Sequence, residues 1–407
     1  MTAAPLLVPD FITFTLGMVV YFVGADLTKR VRLLREFNIP EPVSGGITAA
    51  LVIWGVVALT GREVTFALET RDQLLVIFFT TIGLNARVAD LARGGKPLAI
   101  LLVITVLFMV LQNLVALAGV SIFGMPSSAA VLVGSAALIG GHGTAIAWGP
   151  EIAAQGVEGA AEIGIAAATL GLICAALIGG PIARLLIERN GLEPRDASAD
   201  PVVGVSYGTE RKSRLNYVGF MRAMVTIHIA IILGYALHQA VLAAGVRLPL
   251  FVPCLIVGIV ISNTLPYLFP KMSRVRGTDV LALISEFSLS VFLAISLMSM
   301  QLWTLAGLAG PLFLVMAFQV VLTLLFCLFV VFPLMGRTYR AAVLSAGFGG
   351  FGLGATPTAI ANMTAVTKRY GPAPLAFVIL PLVSAFFVDL ANALVIQVFV
   401  TSAAPFW

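Results

Sequence analysis

Charged residues are scarce in this sequence, and apolar residues take their place. Asp, Glu, Lys and Arg make up 11% of the 407 residues, whereas apolar residues make up 60% and the mean hydropathy is +1.05. Soluble domains carry about a quarter charged residues, so this composition excludes a soluble protein and predicts an all-α polytopic protein of the lipid bilayer. The net charge of +5 is accompanied by no nucleic-acid-binding pattern, and we expect no nucleic-acid partner.

Cysteine is also rare, and the sequence lacks the residue patterns of catalytic sites. Cys174, Cys254 and Cys327 all fall in apolar runs, which is typical of small core residues and of neither disulfides nor metal sites. We find no nucleophile paired with a base, no His/Cys metal cluster and no Walker-type phosphate loop. We therefore expect neither an enzyme nor an organic cofactor.

Long apolar runs dominate what remains. A helix needs about 20 residues to cross the hydrocarbon core, and ten runs of suitable length are separated by polar or glycine-rich segments. Two further apolar stretches, 127–156 and 341–366, are broken by glycines, and we expect each to enter the membrane and return as a hairpin (the first and second hairpin). The ten predicted spans are 11–27, 43–60, 72–87, 97–122, 161–183, 221–245, 250–267, 279–299, 311–335 and 374–400.

The distribution of basic residues predicts the orientation of these spans. With the N-terminus outside, 21 of the 24 Lys and Arg residues fall on the inner side, and only Arg62, Arg71 and Arg247 fall outside. This positive-inside bias predicts that both termini are periplasmic. The long polar segment 188–214 then becomes a cytoplasmic linker.

The two halves of the chain resemble each other. Residues 1–187 and 215–407 each contain five predicted spans and one hairpin, in the same order. Because five crossings is an odd number, the second copy must be inserted upside down. This predicts inverted repeats whose hairpin tips approach each other from opposite faces, as in many secondary transporters.

The second hairpin has the strongest local signal. Five glycines in the eight residues 347–354 precede the sequence Thr356-Pro357-Thr358, and we expect the glycines to break one helix and Thr356 to cap the next, with Pro357 in its first turn. Free amides at such a helix start favour an anion. The hairpin tips thus predict substrate contacts at Gly141, His142, Gly143, Thr144, Gly354, Ala355, Thr356, Thr358 and Asn362.

Two acidic residues lie inside predicted spans, where a carboxylate needs a partner. Asp389 shares a helix face with Asn392, so the pair predicts a cation site, with a protonated acid bonded to a carbonyl as the alternative. Carbonyls of Gly140, Gly350 and Gly352 are further predicted ligands of the cation. Glu286 lies among Ser285, Ser288 and Ser290 and either binds an ammonium group or sodium ion, or extends to the membrane surface.

The hairpin sequences also carry a family resemblance. The segment 140–150, GGHGTAIAWGP, and the segment 352–363, GLGATPTAIANM, resemble the paired hairpin signatures of the bacterial sodium/glutamate symporter family. The resemblance continues to Asp389 and Asn392. It implies sodium-coupled import of glutamate, with Na+ as the co-transported ion, across the bacterial inner membrane by a homodimer. It also implies that each subunit has a scaffold domain and a moving, elevator-type transport domain.

Two other functions remain open from the residues alone. A Na+- or H+-coupled carrier of another small carboxylate, such as citrate or malate, would use the same tips but would need no partner for an ammonium group. An ion channel would conduct without saturating, and the opposed hairpins argue against it. A dicarboxylic amino acid requires two anion sites and one cation site, which matches two tips and one membrane acid.

Overall fold

The computed structural model is mainly helical and describes residues 6–36, 39–86, 88–194, 217–244, 248–268, 275–301 and 309–402. Two helical runs contain a π-helical turn, one at Cys327–Val331 and one at Val383–Phe387. In chain order the elements are β1 (Leu6–Val8), α1 (Asp10–Arg30), α2 (Arg32–Glu36), α3 (Glu41–Thr60), β2 (Val64–Phe66), α4 (Glu69–Asn85), α5 (Val88–Ile122), α6 (Gly141–Ala153), α7 (Ala160–Asn190), α8 (Tyr217–Ala243), α9 (Phe251–Leu268), α10 (Asp279–Met298), α11 (Ala309–Phe326), α12 (Phe332–Leu334), α13 (Tyr339–Leu353), α14 (Thr356–Tyr370), α15 (Ala376–Leu382) and α16 (Val388–Ser402).

All ten predicted spans are helical, and among the described residues seven helices are long and apolar enough to cross a membrane. The other three predicted spans are α4, which has 17 residues, α9, and the run through α15 and α16. The seven are Asp10–Arg30, Glu41–Thr60, Gly95–Ile122, Ala160–Asn190, Tyr217–Ala243, Asp279–Met298 and Gly310–Leu334.

The structure corrects two details of the predicted architecture. A short parallel pair, β1 with β2, interrupts the all-α prediction; three-residue strands carry too little periodicity to be recognised. The predicted linker 188–214 begins as helix, because α7 continues to Asn190. Residues 195–214 of that linker lie outside the described part of the chain.

The chain divides into two compact units, each built from both halves of the sequence. The first unit contains β1, β2, α1, α3, α4 and α8 to α10. The second unit contains nearly all of α5 together with α6, α7 and α11 to α16. The predicted repeats, 1–187 and 215–407, are a different division, based on internal similarity, and remain a prediction.

The first unit is held together by a close crossing of α1 and α3 and by a side-chain cap at the start of α4. Gly24 of α1 and Gly45 of α3 meet so closely that a β-carbon on either would lie 2.0 Å or less from a carbonyl oxygen of the other helix. Small residues allow such backbone approach between membrane helices. The carboxylate of Asp10 accepts hydrogen bonds from the amide (3.0 Å) and the hydroxyl of Thr70, so it caps α4 from a helix 60 residues earlier.

In the second unit, α7 supports both hairpins along one line of small residues. Gly164 packs on Ala145 of α6, Gly171 on the carbonyl of Leu353, and Gly179 on the side chain of Asn362. The spacing of seven and eight residues keeps these glycines on one helix face. As a result, α6, the end of α13, and α14 all rest on the same helix.

The glycine run 347–354 does not break its helix where we expected. Helix α13 continues through Gly347, Gly349, Gly350 and Gly352, and it ends only at Leu353. Each glycine is covered by a neighbour: a β-carbon on Gly352 would lie 2.7 Å from the ring of Phe108, and one on Gly349 would lie 2.8 Å from Ile182. Tertiary packing therefore overrides the weak helix propensity of glycine.

Candidate functional site

The first hairpin begins with an irregular leg and ends in a helix. A 3-10 segment, Ser127–Val133, leads through buried turns to Gly140, which precedes α6 with no side-chain cap. Gly141, Gly143 and Thr144 all belong to the start of α6. The main-chain amides of Gly141, His142 and Gly143 are the free donors of this helix start, whereas the Gly140 carbonyl is placed to accept the first helical bond.

The second hairpin has the predicted form of two helices separated by a break, and its bounds are Tyr339–Leu353 and Thr356–Tyr370. The capping residue differs by one position: Ala355 is the N-cap, in extended conformation, and Thr356 is the first helical residue. Pro357 lies in the first turn, as predicted, and it offers no N–H. The donors at this helix start are therefore the amides of Ala355, Thr356 and Thr358.

The starts of α6 and α14 lie close together within the second unit. A β-carbon built on Gly141 would lie 4.0 Å from the carbonyl oxygen of Gly354, two residues before α14. Gly141 also has a φ of +70° and follows Gly140 in right-handed helical conformation, a sequence of conformations that forms anion-binding nests. Each helix start carries about half a positive charge, so an anion between them would relieve their repulsion.

Asn392 of α16 reaches the same place from another side. A β-carbon on Gly140 would lie 2.7 Å from Asn392 Nδ2, and this nitrogen donates to the carbonyl of Ser135 at 3.0 Å. Because the amide nitrogen faces Ser135, the orientation of the side chain is set. Its Oδ1 is buried and has no hydrogen-bond partner among the described residues. An unpaired amide oxygen of this kind is a natural ligand for a small hard cation.

Asp389 lies on the same face of α16 as Asn392, one helical turn earlier, and it is half-buried. The turn between them corresponds to a rise of about 4.5 Å. Asp389 is the second residue after the π-helical turn Val383–Phe387, and such turns are frequent at functional sites. The predicted cation pair is therefore compatible with the helix geometry, and its role stays a prediction.

Ser135, in the turn of the first hairpin, is held on three sides. The main-chain amide of Ser135 donates to Asn113 Oδ1 (2.8 Å), and Asn113 Nδ2 donates to the Ser135 hydroxyl (2.9 Å). The Ser135 carbonyl accepts from Asn392. This clasp connects α5 and α16 through the hairpin.

The predicted substrate contacts on α14 have two different environments. Asn362 Nδ2 donates to the carbonyls of Ala175 (2.9 Å) and Ala346 (3.4 Å), so its amide nitrogen already has structural partners. Thr358 is fully buried, and its hydroxyl has no hydrogen-bond partner within the described part of the chain. Of the two, Thr358 has the group available for a ligand.

Gly350 and Gly352, predicted as sodium ligands in a loop, lie instead in the last turn of α13. The carbonyl of Gly352 accepts a hydrogen bond from Gln112 Nε2 at 2.7 Å. Gly350 packs against the amide of Asn362. Carbonyls in a final helical turn lack intrahelical partners, and the Gly352 carbonyl has the Gln112 amide as its partner instead.

His142 has a satisfied structural bond. Its Nε2 lies 3.0 Å from Thr169 Oγ1, and the Thr169 hydroxyl donates to the Ile165 carbonyl at 2.9 Å. Because the hydroxyl proton is engaged, the imidazole Nε2 must carry a hydrogen in this bond. His142 is buried in α6 rather than presented at a loop tip.

Glu286 lies on an exposed face of α10 and belongs to the first unit, whereas both hairpins belong to the second. Its predicted contact with an ammonium group or sodium ion stays a prediction.

Sequence reasoning missed Gln112, Thr169 and the small residues of α7. A signal existed for two of these: Gln112 is a second amide beside Asn113 in an apolar helix, and Gly164, Gly171 and Gly179 recur on one helical face. Neither signal says which carbonyl or side chain the residue meets, because the partners are distant in sequence.

Comparisons with known proteins find similar sequences over nearly the whole chain. A family model described as "Sodium/glutamate symporter" matches residues 8–372. A sodium/glutamate symporter of Haemophilus influenzae is 40% identical over 391 residues, covering 95% of this chain and 96% of its own length. One of Escherichia coli K12 is 38% identical over 389 residues, with the same coverage, as is one of Shigella flexneri.

Proposed function

Since the chain belongs to the sodium/glutamate symporter family, we propose that it imports glutamate together with Na+ across the bacterial inner membrane. The observation that carries this proposal is the approach of two helix starts, at Gly141 and next to Gly354, beside the unpartnered oxygen of Asn392. Anion-binding and cation-binding groups are thereby brought together within one compact unit.

The helix starts suit the carboxylates of the substrate. The amides of Gly141, His142 and Gly143 open α6, and those of Ala355, Thr356 and Thr358 open α14. Main-chain amides at a helix start bind carboxylates without a fixed counter-charge. The Thr358 hydroxyl, which has no partner in the described chain, adds a donor at the second start.

The groups of α16 that lie near Gly140 suit a sodium ion. Asn392 supplies an unpartnered oxygen there, and Asp389 supplies a carboxylate on the same helix face. A bound Na+ neutralises charge in a region of low dielectric, so it raises the affinity for an anionic substrate, and the substrate raises the affinity for Na+ by the same factor. This reciprocity is the physical basis of symport.

The finer architecture of the proposal follows from the sequence repeats and from the family resemblance, which implies the homodimer and the moving domain. The halves 1–187 and 215–407 form inverted repeats with periplasmic termini, and the protein is a homodimer. The second unit, which holds both hairpins, is the moving domain of an elevator-type carrier, and the first is its scaffold. Similar contacts in the two halves support the repeats: α1 packs on α3 as α8 packs on α9, and α10 packs on α3 as α4 packs on α9.

Uptake of labelled L-glutamate into proteoliposomes, driven by an inward Na+ gradient, tests the proposal. We expect saturable uptake that requires Na+ and is abolished by Thr356→Ala and by Asp389→Asn, while size-exclusion profiles stay those of a folded protein. Uptake that persists in both variants, or that proceeds equally in K+, would refute the assignment.

The rival function is transport of a carboxylate without an ammonium group. Counterflow of labelled L-glutamate, D-glutamate, aspartate and citrate distinguishes it, because a citrate carrier would exchange citrate and ignore the amino acids. The Glu286→Gln variant adds a second criterion: a carrier of simple carboxylates has no use for this acid and should tolerate its loss.

A further inference from the structure

Two buried glutamines join the hairpins by a chain of hydrogen bonds. Gln112 Nε2 of α5 donates to the carbonyl of Gly352 in the second hairpin at 2.7 Å. Gln319 Nε2 of α11 donates to two main-chain carbonyls, that of Gln112 (2.8 Å) and that of Val133 in the first hairpin (3.2 Å). Both side chains are fully buried. We name this chain of bonds, from Val133 through Gln319 and Gln112 to Gly352, the amide relay.

The relay ends close to both halves of the proposed site. Gly352 lies two residues before Gly354, whose carbonyl faces Gly141 at the start of α6. Val133 lies two residues before Ser135, which is clasped by Asn113 and by the cation-side residue Asn392. The relay therefore runs from the substrate side of the site to the cation side.

The orientation of each amide is fixed, and each leaves its oxygen unsatisfied. The NH2 groups of Gln112 and Gln319 face carbonyls, so their Oε1 atoms point elsewhere, and these atoms have no hydrogen-bond partner among the residues that the structure describes. A buried unpaired acceptor is unfavourable for folding. Replacing Gln112 by methionine would remove one unpaired oxygen and create another at Gly352, so folding stability gives little reason for a glutamine at this position.

We propose that Gln112, held in place by Gln319, is a positioning residue that couples Na+ binding to substrate binding. The inference rests on the proposed function. A cation at Asn392 fixes the turn at Ser135; the relay transmits that ordering to the end of α13, and hence to the helix start that receives the substrate carboxylate. Without Gln112 each ligand still has its own contacts, but each is less sensitive to the other.

The test is a four-corner binding cycle on the purified full-length protein in nanodiscs. The affinity for labelled L-glutamate is measured at low and at saturating Na+, and the affinity for Na+ is measured without and with saturating L-glutamate. The ratio of the two affinities in each pair is the coupling factor. Thermodynamic linkage requires the two coupling factors to be equal. Coupling factors in proteins typically range from about 5-fold to about 150-fold. In Gln112→Met we expect the factor to fall at least about fivefold, since the link between the two sides is cut.

Gln397→Met is the matched control. Gln397 is also buried in the second unit with an unpaired Oε1, but its side chain makes no hydrogen bond to a hairpin carbonyl within the described residues. We expect the coupling factor of the wild type in this variant. Gln112→Asn, which keeps the amide but is too short to reach Gly352, should repeat the loss seen in Gln112→Met and covers the case in which the latter does not fold.

The outcomes separate the two proposals. A wild type that binds L-glutamate independently of Na+ overturns the proposed function and this inference with it. A wild type with clear coupling, together with a Gln112 variant whose coupling is unchanged, overturns the relay alone. Equal losses in the Gln112 and Gln397 variants would also overturn it, because they would report general damage to the second unit.

Discussion

Gly171 offers a direct test of how closely the second hairpin must be held. A β-carbon on Gly171 of α7 would lie 2.2 Å from the carbonyl oxygen of Leu353, the last residue of α13. Ordinary van der Waals contact begins at 3.4 Å, so Gly171→Ala requires α13 and α7 to separate by about 1.2 Å at this point. Binding constellations tolerate errors of only about 0.5 Å, so we expect the substrate KM to rise about tenfold, which corresponds to about 1.4 kcal/mol.

Gly180→Ala is the control on the same helix. A β-carbon on Gly180 meets no atom within 4 Å, so the same substitution there changes helix propensity alone and should stabilise α7 by up to about 1 kcal/mol. Initial rates of Na+-driven L-glutamate uptake in proteoliposomes give KM for both variants, and thermal unfolding in detergent gives their stability. An unchanged KM in Gly171→Ala, with protein that is folded and active, would show that the end of α13 need not be placed so closely.

Two further predictions concern one residue in each unit. Thr358→Val keeps the shape of a buried side chain whose hydroxyl has no partner among the described residues, so the L-glutamate KM should rise about tenfold if the hydroxyl binds a carboxylate, whereas unchanged or improved uptake would mean that it does not. Asp10→Ala removes the cap of α4 at Thr70 and should cost about 1 kcal/mol of stability without changing KM. The control Asp26→Ala breaks only the exposed pair with Arg30 and should lower the melting temperature less. An equal fall in melting temperature would contradict the capping argument.

The sequence predicted the elements whose signal is local. The long apolar runs are confirmed as helices. They could be predicted because a membrane span depends on the composition of about 20 consecutive residues. The break in the second hairpin was predicted because Pro357 with its neighbouring threonines is a helix-start pattern that needs no tertiary partner. The error in the position of the break came from treating Gly347 to Gly352 as breakers, when residues of other helices cover them, including Ile182 at Gly349 and Phe108 at Gly352.

The candidate site was predicted in outline and not in its contacts. Asn392 was selected as the helix partner of Asp389 and Gly140 as a hairpin glycine, both as ligands of the cation, and the fold brings the two together across about 250 residues of sequence. The bond of His142 to Thr169 and that of Gln112 to Gly352 could not be predicted. Hydrogen-bond partners in a membrane protein depend on which helices pack together, and composition does not encode that.

The cover provided for α13 has a consequence for biosynthesis. Within this helix, Gly349 is covered by Ile182 of α7 and Gly352 by Phe108 of α5. Both supporting helices leave the ribosome before it does. Translation from the N-terminus to the C-terminus thus makes these two helices available before α13 is inserted. A circular permutant beginning near residue 339 would expose α13 to lipid before α5 and α7 have been synthesised.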